Sequence, residues 1–313
     1  MEQGDRRRDH MRFTIFQDSR VGARQYQQDR IGHWQTRDAL LMLVADGMGG
    51  HLHGDVAAQA ALQHLGQAFQ REAKPGLADP LAFLFNAVGG AHHLIHEQAR
   101  ALGLPDTPRT TIVACVVQGG HAWWSHIGDS RLYHIRHGTI RARTRDHTRV
   151  QELVDAGRIR EEAVPAHPER NKLLQCLGSD APPRVEPATC ARLAKDDVIL
   201  LCSDGFWGPL TQRQLLSHLM SKPLGVALPE LMSLAETRAG RQCDNLSVVA
   251  MAWGEDEIAD TEGASQVTVP FHDLPTEAQE LSATDDDIAR LSDDDIERRI
   301  AEIKLALKRT PRR

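Results

Sequence analysis

The chain has 313 residues, of which 41% are hydrophobic and 26% are charged. That length is enough for one large domain with a full hydrophobic core, or for two small domains. Its formal net charge of −6 argues against a nucleic-acid-binding protein, which needs a basic surface. An anionic substrate would therefore require local positive charge from a metal ion or an arginine.

The chain begins with the charged segment MEQGDRRRDHM, and the apolar segment of a signal peptide does not follow it. No apolar run approaches the roughly 18 residues of a membrane-spanning helix. The 5 cysteines are widely spaced and include no Cys-x-x-Cys pair, which is typical of buried thiols in a reducing compartment. The sequence therefore predicts a flexible N-terminal extension over residues 1–11 and a cytoplasmic protein with neither a membrane nor a nucleic acid as partner.

Four short runs are rich in apolar and β-branched residues and stop at polar ones: 39–46, 110–118, 197–204 and 246–253. Continuous hydrophobicity over so few residues indicates strands that are buried on both sides. Residues 121–145 read as a strand followed by a hairpin that turns at His137 and Gly138.

Helical spacing of apolar residues recurs in five segments: 54–70, 79–102, 148–157, 211–220 and 228–239. The pair Gly89-Gly90 predicts a break or a close helix contact within the second segment. Because the strands are clustered and the helices come in long pairs, the pattern favours an α+β fold with layered antiparallel sheets over a doubly wound sheet.

Beyond Trp253 the composition changes. Residues 254–281 are acidic, polar and aperiodic, which predicts a linker. Residues 282–313 repeat a hydroxyl residue followed by three aspartates, and then place Ile296, Ile300, Ile303 and Leu307 on one helical face. We expect a charged helical C-terminal extension, either as a surface helix or as a docking helix for a partner.

Two of the apolar runs end in the same way, with Asp46-Gly47 and with Asp204-Gly205. Asp29, Asp129 and Asp244 also lie beside expected strand ends. A glycine at such a corner permits a tight turn and exposes its carbonyl oxygen. Hard cations such as Mg²⁺ and Mn²⁺ prefer several oxygen ligands, so carboxylates gathered at one sheet rim could bind two such ions. A single Asp-Gly pair is weak evidence, because turns use it constantly.

Seven strings occur together in a characteristic order: DSRVGARQYQQDR, VADGMGGHLHGDVAA, SHIGDSRLY, TRDHTRVQELVDAGRI, AHPERNKLLQCLG, LLCSDGFWG and CDNLSVVAM. In order and approximate spacing they resemble the metal-dependent protein phosphatases of the protein phosphatase 2C (PPM) type. The resemblance covers residues 12–253, which would form the phosphatase domain, with residues 146–190 matching the family's variable flap region.

The resemblance implies an αββα four-layer sandwich, in which two antiparallel β-sheets are flanked by helix pairs. It also implies hydrolysis of phosphoserine and phosphothreonine in proteins, with two Mg²⁺ or Mn²⁺ ions as cofactors. The expected partners are phosphorylated proteins and a cognate Ser/Thr kinase that the enzyme opposes.

By the same resemblance, roles are assigned to individual positions. Asp46 would bridge the two metal ions, with the carbonyl of Gly47 completing one of them. Asp204 and Asp244 would hold the other ion, while Asp29 would bind mainly through water. The remaining assignments place Asp129, with Asp204, at a third and weaker metal site, and Arg24 on the substrate phosphate. An arginine suits that role because its planar fork donates two hydrogen bonds to phosphate oxygens.

The chain departs from the family pattern at three positions. Gln27 stands where the family usually has asparagine, and modest repositioning is expected there. Met48 stands where many eukaryotic members have a histidine, the proposed general acid, so the proton donor is unassigned and metal-bound water is the default. Arg109 replaces the glycine before Thr110, with no effect that the sequence predicts.

Two alternatives stay open from the sequence. The segment from His51 to Asp55 spells H-x-H-x-D, which resembles the start of the metallo-β-lactamase zinc signature, although Val56 stands where its next histidine belongs. That alternative predicts a zinc hydrolase, whereas the phosphatase interpretation makes His51 and His53 structural residues of a turn. The second alternative is an inactive pseudophosphatase that binds phosphoproteins.

Overall fold

The computed structural model describes residues 11–48, 53–185 and 188–254. One five-stranded sheet has the order β1-β10-β9-β6-β7. Its strands are β1 (Phe13–Arg20), β6 (Arg131–Arg136), β7 (Thr139–Arg143), β9 (Val198–Cys202) and β10 (Leu246–Trp253). All neighbouring strands in it are antiparallel.

The second sheet also has five strands, in the order β2-β3-β4-β5-β8. They are β2 (Asp29–Gln35), β3 (Ala39–Asp46), β4 (Ile112–Gln118), β5 (His121–Ile127) and β8 (Thr189–Arg192). These pairs are antiparallel as well, and the register between β2 and β3 sets Asp29 directly opposite Asp46.

The helices are α1 (Gly54–Glu72), α2 (Pro80–Ala101), α3 (Arg149–Asp155), α4 (Asp204–Trp207), α5 (Gln212–Ser221) and α6 (Leu224–Ala239). Two short 3₁₀ helices span Glu161–Ala166 and Gly240–Gln242. None of the helices in the described ranges is long and apolar enough to cross a bilayer.

Three apolar clusters divide the core into layers. The first cluster packs α1 and α2 on the outer face of the second sheet, and another packs α4, α5 and α6 on the outer face of the first. The third lies between the sheets and joins residues such as Met42 and Val113 to Leu201 and Met251. The predicted αββα four-layer sandwich is therefore confirmed.

Burial on both faces explains why β3 reads as an unbroken apolar run. Leu41 and Leu43 face the helix pair, whereas Leu40 and Met42 face the other sheet. A strand between two apolar layers has no solvated face, so the usual alternation of polar and apolar residues disappears. The four apolar runs of the sequence are β3, β4, β9 and β10.

Other predictions need correction in detail. The apolar pattern gave no strand range for β1 or β2, because partly exposed positions interrupt it in both strands. Helix α6 begins at Leu224 rather than at 228 and accommodates Pro229 within its first turns. The hairpin turn at His137 and Gly138 is confirmed, since both have left-handed φ angles of 48° and 68°.

Helix α2 runs unbroken through Gly89-Gly90. A Cβ at Gly90 would lie 2.5 Å from Nε2 of His64 on α1, so this glycine permits the close helix contact. Of the predicted flexible extension over 1–11, the structure describes only Met11. Of the predicted linker (254–281) it describes only Gly254, and the predicted C-terminal helix (282–313) lies outside the described residues.

Glycine substitutions offer a test of this packing. A Cβ at Gly66 on α1 would lie 2.3 Å from the indole ring of Trp34, whereas a Cβ at Gly89 would meet nothing within 4 Å. We expect Gly66→Ala to lower the free energy of unfolding by about 1–3 kcal/mol through overpacking. Gly89→Ala should raise it by about 0.5–1 kcal/mol, because alanine is the better helix former. Urea unfolding measures both, and equal stabilities would contradict this packing.

Candidate active site

The two Asp-Gly corners lie at the ends of buried strands, one from each sheet. Asp46 is the last residue of β3, and Asp204 is the first residue of α4, two residues after β9 ends at Cys202. The carboxyl groups of Asp46 and Asp204 lie close enough for the charge of Asp204 to raise the pKa of Asp46. The sandwich therefore brings the ends of strands from both sheets to one rim.

The other candidate aspartates join this rim. Asp29 begins β2 opposite Asp46, and Asp244 lies just before β10. Burial raises the pKa of Asp46 well above its ordinary value, and the charges of Asp29, Asp204, Asp129 and Asp244 raise it further. The other four candidate carboxylates thus all repel the charge of Asp46, and this repulsion is unfavourable unless a proton or a cation offsets it.

Glycines let the backbone turn at the corners. A Cβ at Gly47 would lie 2.4 Å from the carbonyl oxygen of Gly54 and 2.8 Å from that of Gln28. A Cβ at Gly205 would lie 2.1 Å from the carbonyl oxygen of Asn245. Since backbone atoms cannot move aside cheaply, any other residue at these two corners would displace the neighbouring aspartates.

Two threonines hold the backbone of Asp46. Its carbonyl oxygen accepts hydrogen bonds from the amide of Thr111 and the hydroxyl of Thr110, both at 2.9 Å. Its amide donates to the hydroxyl of Thr111 at 3.1 Å. The sequence did not indicate this clamp, although the Thr110-Thr111 pair just before β4 was the available signal. Arg109, the departure from the family pattern, accepts a hydrogen bond from the amide of Met48 through its carbonyl oxygen at 3.0 Å.

Asp29 is the most deeply buried of the carboxylates, with 2% of its surface exposed. Burial raises its pKa to about 7. Its Oδ2 accepts a hydrogen bond from the hydroxyl of Ser203 at 2.8 Å, whereas its Oδ1 is buried without a hydrogen-bond partner. An unpaired buried carboxylate oxygen is costly, and a hydrated cation would satisfy it.

The donor set therefore fits divalent cations such as Mg²⁺ and Mn²⁺. Within the three described ranges, no three histidine, cysteine or acidic side chains are arranged as a ready-made ion cage. Mg²⁺ does not require one, because it binds through one or two carboxylates and keeps several waters. Carboxylates in mutual repulsion, an unpaired oxygen on Asp29 and the turn at Gly47 together suit such an ion better than they suit a metal-free site.

Arg24 is the positive charge at the rim. Its guanidinium donates to Oδ2 of Asp244 at 2.7 Å, while 53% of its side chain remains exposed. This hydrogen bond, together with the charge of Asp244, raises the pKa of Arg24. The guanidinium is thus anchored at one edge and still accessible to an anion from solution.

The loop that carries Arg24 is fastened to the start of β10. The side-chain amide of Asn245 donates to the carbonyl oxygens of Val21 and Tyr26 at 2.9 and 3.0 Å, and its oxygen accepts from the amide of Gln28 at 2.8 Å. Gly22 has a φ of 64°, and a Cβ there would lie 2.1 Å from the carbonyl oxygen of Asp244. The sequence alone did not identify Asn245 as the residue that positions this loop.

Asp129 lies between β5 and β6, behind the turn at Gly128, which has a φ of 105°. Burial raises the pKa of Asp129 well above its ordinary value, and the charges of Asp204 and Asp146 contribute. The indole of Trp207 donates to the carbonyl oxygen of Asp129 at 3.0 Å. The structure therefore brings Asp129 within electrostatic reach of Asp204.

Arg131 connects this part of the site to the segment after β7. It forms a two-pronged ion pair with Asp146 at 2.8 and 2.7 Å, and its guanidinium stacks 3.3 Å above the ring of Trp207. His126 and His147 stack on each other, with ring centroids 4.6 Å apart. Asp146 thus lies close enough to Asp129 for its charge to raise the pKa of Asp129, and its pairing with Arg131 holds it there.

Of the two histidines in the H-x-H-x-D segment, only His53 lies in the described part of the chain. His53 is exposed and precedes α1 with a left-handed φ of 73°, while His51 lies outside the described residues. His53 has no side-chain hydrogen bond that caps the helix. The geometry of the rim thus depends on the aspartates, and His53 lies in the turn that leads into α1.

Comparison with known proteins gives a consistent result. The model of the protein phosphatase 2C family matches residues 17–233. The serine/threonine protein phosphatase PstP of Mycobacterium tuberculosis is 37% identical over 215 residues, which is 67% of this chain and 40% of that protein. A putative protein phosphatase 2C-type protein of Streptococcus pyogenes is 31% identical over 233 residues, covering 74% of this chain and 92% of that one.

A solved structure of the catalytic domain of PstP in complex with two manganese ions also resembles the chain. The TM-score is 0.64 at 31% identity, over 77% of this chain and 97% of that one. This chain spans 40% of the length of the full mycobacterial protein, so the two share one region and not their whole sequences.

Proposed function

The chain belongs to the protein phosphatase 2C family, and on this premise we propose that it hydrolyses phosphoserine and phosphothreonine in proteins with the help of Mg²⁺ or Mn²⁺. One observation carries the proposal: buried carboxylates from both sheets meet at a single rim, with an accessible Arg24 beside them. A cation site adjacent to an anion-binding guanidinium is what a phosphomonoester requires.

In this proposal the carboxylates divide the ions between them. Asp46 and the carbonyl oxygen of Gly47 would hold one ion, with Asp46 shared by both. Asp204 and Asp244 would hold the other ion, and Asp29 would bind through water. Asp129, together with Asp204, would hold a third ion more weakly.

When bound, two such ions lower the pKa of a water and neutralise charge on the phosphoryl group, which is the chemistry that the protein side chains lack. The side chains of this protein position the substrate phosphate and supply positive charge to it. Arg24 binds the phosphate oxygens, and Asp244 holds the guanidinium in place through its 2.7 Å hydrogen bond. The threonine clamp on the backbone of Asp46 keeps the central carboxylate still while the substrate binds.

The departing serine or threonine oxygen requires a proton. Met48, immediately after the Asp46-Gly47 corner, has no proton to donate. We therefore assign protonation of the leaving group to water. We propose no cysteine phosphoenzyme, because four of the five cysteines are buried and burial raises the pKa of every thiol, including that of the exposed Cys190 on β8.

The proposed partners are phosphorylated proteins and a cognate Ser/Thr kinase whose action the enzyme reverses, in the cytoplasm. The acidic net charge of −6 supports protein substrates over nucleic acid. Local attraction for the phosphate then comes from Arg24 and the bound ions.

The test is phosphate release from a phosphothreonine peptide by the purified protein with Mn²⁺ in excess, at a concentration about 100 times its dissociation constant. A matched phosphotyrosine peptide and a β-lactam serve as comparison substrates, the latter for the metallo-β-lactamase alternative. Turnover of the phosphothreonine peptide supports the proposal. Absence of turnover with Mn²⁺ present would instead favour the inactive phosphoprotein-binding alternative.

Arg24 has a predicted role that can be measured separately. We expect Arg24→Lys to raise KM for the phosphopeptide about 10- to 100-fold, because lysine cannot donate the paired hydrogen bonds of the guanidinium. Arg37→Lys is the control, since Arg37 is equally exposed at 55% and also pairs with an aspartate, Asp38. Steady-state kinetics distinguish the two variants, and an unchanged KM in Arg24→Lys would remove Arg24 from the phosphate site.

A further inference from the structure

Asp29 is surrounded by hydroxyl groups that the proposed reaction does not use. Ser203 and Ser247 are both fully buried, and each stands where a strand of the first sheet reaches the rim. Ser203 donates to Oδ2 of Asp29 at 2.8 Å and accepts from the amide of Ser247 at 3.0 Å. Hydrogen bonding from both serines opposes the rise in the pKa of Asp29 that burial causes.

The contacts continue outward from Ser247. Its hydroxyl lies 2.9 Å from the hydroxyl of Ser19 on β1. The side-chain amide of Gln27 donates to Ser19 at 2.6 Å, and its oxygen accepts from the amide of Asp29 at 3.3 Å. Gln27 thereby connects the backbone of Asp29 with the serines behind its carboxylate, and the contacts form a closed ring.

The ring ends on the carboxylate of Asp29, which accepts a hydrogen bond from the hydroxyl of Ser203. Ser203 accepts from the amide of Ser247, and Ser19 accepts from the side-chain amide of Gln27. Between the hydroxyls of Ser19 and Ser247, either oxygen can be the donor. Hydrogen bonds that follow one another in this way polarise each other and strengthen the last one, especially in a buried setting. The arrangement leaves Oδ1 of Asp29 as the oxygen without a partner.

We propose that Gln27, Ser19, Ser247 and Ser203 form a positioning network that holds Asp29 with Oδ1 presented to a divalent cation or its water. This inference rests on the proposed function in one respect, namely that Asp29 serves a bound ion. It also gives Gln27 a role, because the longer side chain spans from the backbone of Asp29 to Ser19. Gln27, which stands in place of the family's usual asparagine, thus helps to position a ligand of the ion.

The test measures binding of Mn²⁺ to the full chain, and not turnover. We expect Ser203→Ala to raise the dissociation constant for Mn²⁺ about 10- to 100-fold, the usual effect of removing a partner that orients a metal ligand. Ser19→Ala should raise it about three- to tenfold, since Ser19 acts one contact further away. Isothermal titration calorimetry and the Mn²⁺ dependence of the melting temperature both report this constant.

Three further variants distinguish positioning from ordinary structural support. Ser19 is exposed, so its substitution leaves the metal-free melting temperature unchanged. Ser19→Thr keeps the hydroxyl and should bind Mn²⁺ with wild-type affinity. Gln27→Asn should raise the dissociation constant for Mn²⁺ about as much as Ser19→Ala does. Ser217→Ala is the control, because the hydroxyl of Ser217 contacts only Gln214 and His218 of its own helix α5.

Unchanged Mn²⁺ affinity in both Ser203→Ala and Ser19→Ala would overturn the network, as would failure of Ser19→Thr to restore affinity. A wild-type protein that binds Mn²⁺ but releases no phosphate would overturn the proposed function instead. In that case the order of Mn²⁺ affinities among the variants would still decide the role of the ring.

Discussion

Asp46→Asn is expected to lower kcat/KM for a phosphothreonine peptide by about 10³-fold or more. The loss of one bridging carboxylate weakens both proposed ions, and a factor of 10³ corresponds to about 4 kcal/mol of transition-state stabilisation. The same variant should be more stable than the wild type when both are metal-free. Burial and the charges of Asp29 and Asp204 raise the pKa of Asp46, so the neutral amide relieves a repulsion that the carboxylate suffers.

The two halves of this result are measured independently. Phosphate release gives kcat/KM, and thermal unfolding in EDTA should show a melting temperature about 2–4 °C higher than that of the wild type, which is what about 1 kcal/mol produces in a domain of this size. Asp38→Asn, at an exposed position on the β2–β3 turn, is the control for both assays. Lower metal-free stability in Asp46→Asn would mean that the carboxylate has a structural role instead.

Removal of metal by EDTA should abolish phosphate release, and Mn²⁺ or Mg²⁺ should restore it. Metal also stabilises the fold by mass action, by about 2.7 kcal/mol when the free ion is at 100 times its dissociation constant. This stabilisation of the fold by bound metal should be larger at pH 8 than at pH 5.5. Turnover that survives complete chelation would contradict the two-ion proposal.

The pH dependence follows from Asp29. Its pKa is about 7 in the folded chain and about 4 in an unfolded one, so the folded state holds a proton more tightly. The resulting stability is present in full below about pH 4 and is lost as the pH rises through about 7. In EDTA, the melting temperature of Asp29→Asn minus that of the wild type should therefore increase between pH 5.5 and pH 8. A difference that stays constant would show that Asp29 does not titrate in this range.

The fold could be predicted largely because its central strands are buried on both sides. β3 and β10 match the apolar runs at 39–46 and 246–253 residue for residue, since no exposed position interrupts either strand. The apolar pattern gave no strand range for β1 or β2, because half-buried strands that carry residues such as Gln17 and His33 resemble polar connecting segments.

The site could be predicted only in part, for a related reason. Asp46 and Asp204 follow long apolar runs, so their position at a strand end is visible in the sequence. Asp29 and Asp129 lie beside no such run, and only the resemblance to a family gave them roles at the metal site. The contacts of Thr110 and Ser203 could not be anticipated, because a hydroxyl at a strand end gives no sign of which backbone or carboxylate it will meet.

The position of β10 has a consequence for how the protein becomes active during synthesis. β10 is the last described strand along the chain, yet it lies inside its sheet, between β1 and β9. Asp244 and Asn245 come just before it, and Asn245 fastens the loop of Arg24, which lies far earlier in the sequence. A nascent chain that still lacks β10 therefore has neither a complete sheet nor a complete rim of carboxylates. The proposed phosphatase activity therefore requires the finished domain, and a truncated product that lacks β10 should release no phosphate from a phosphopeptide.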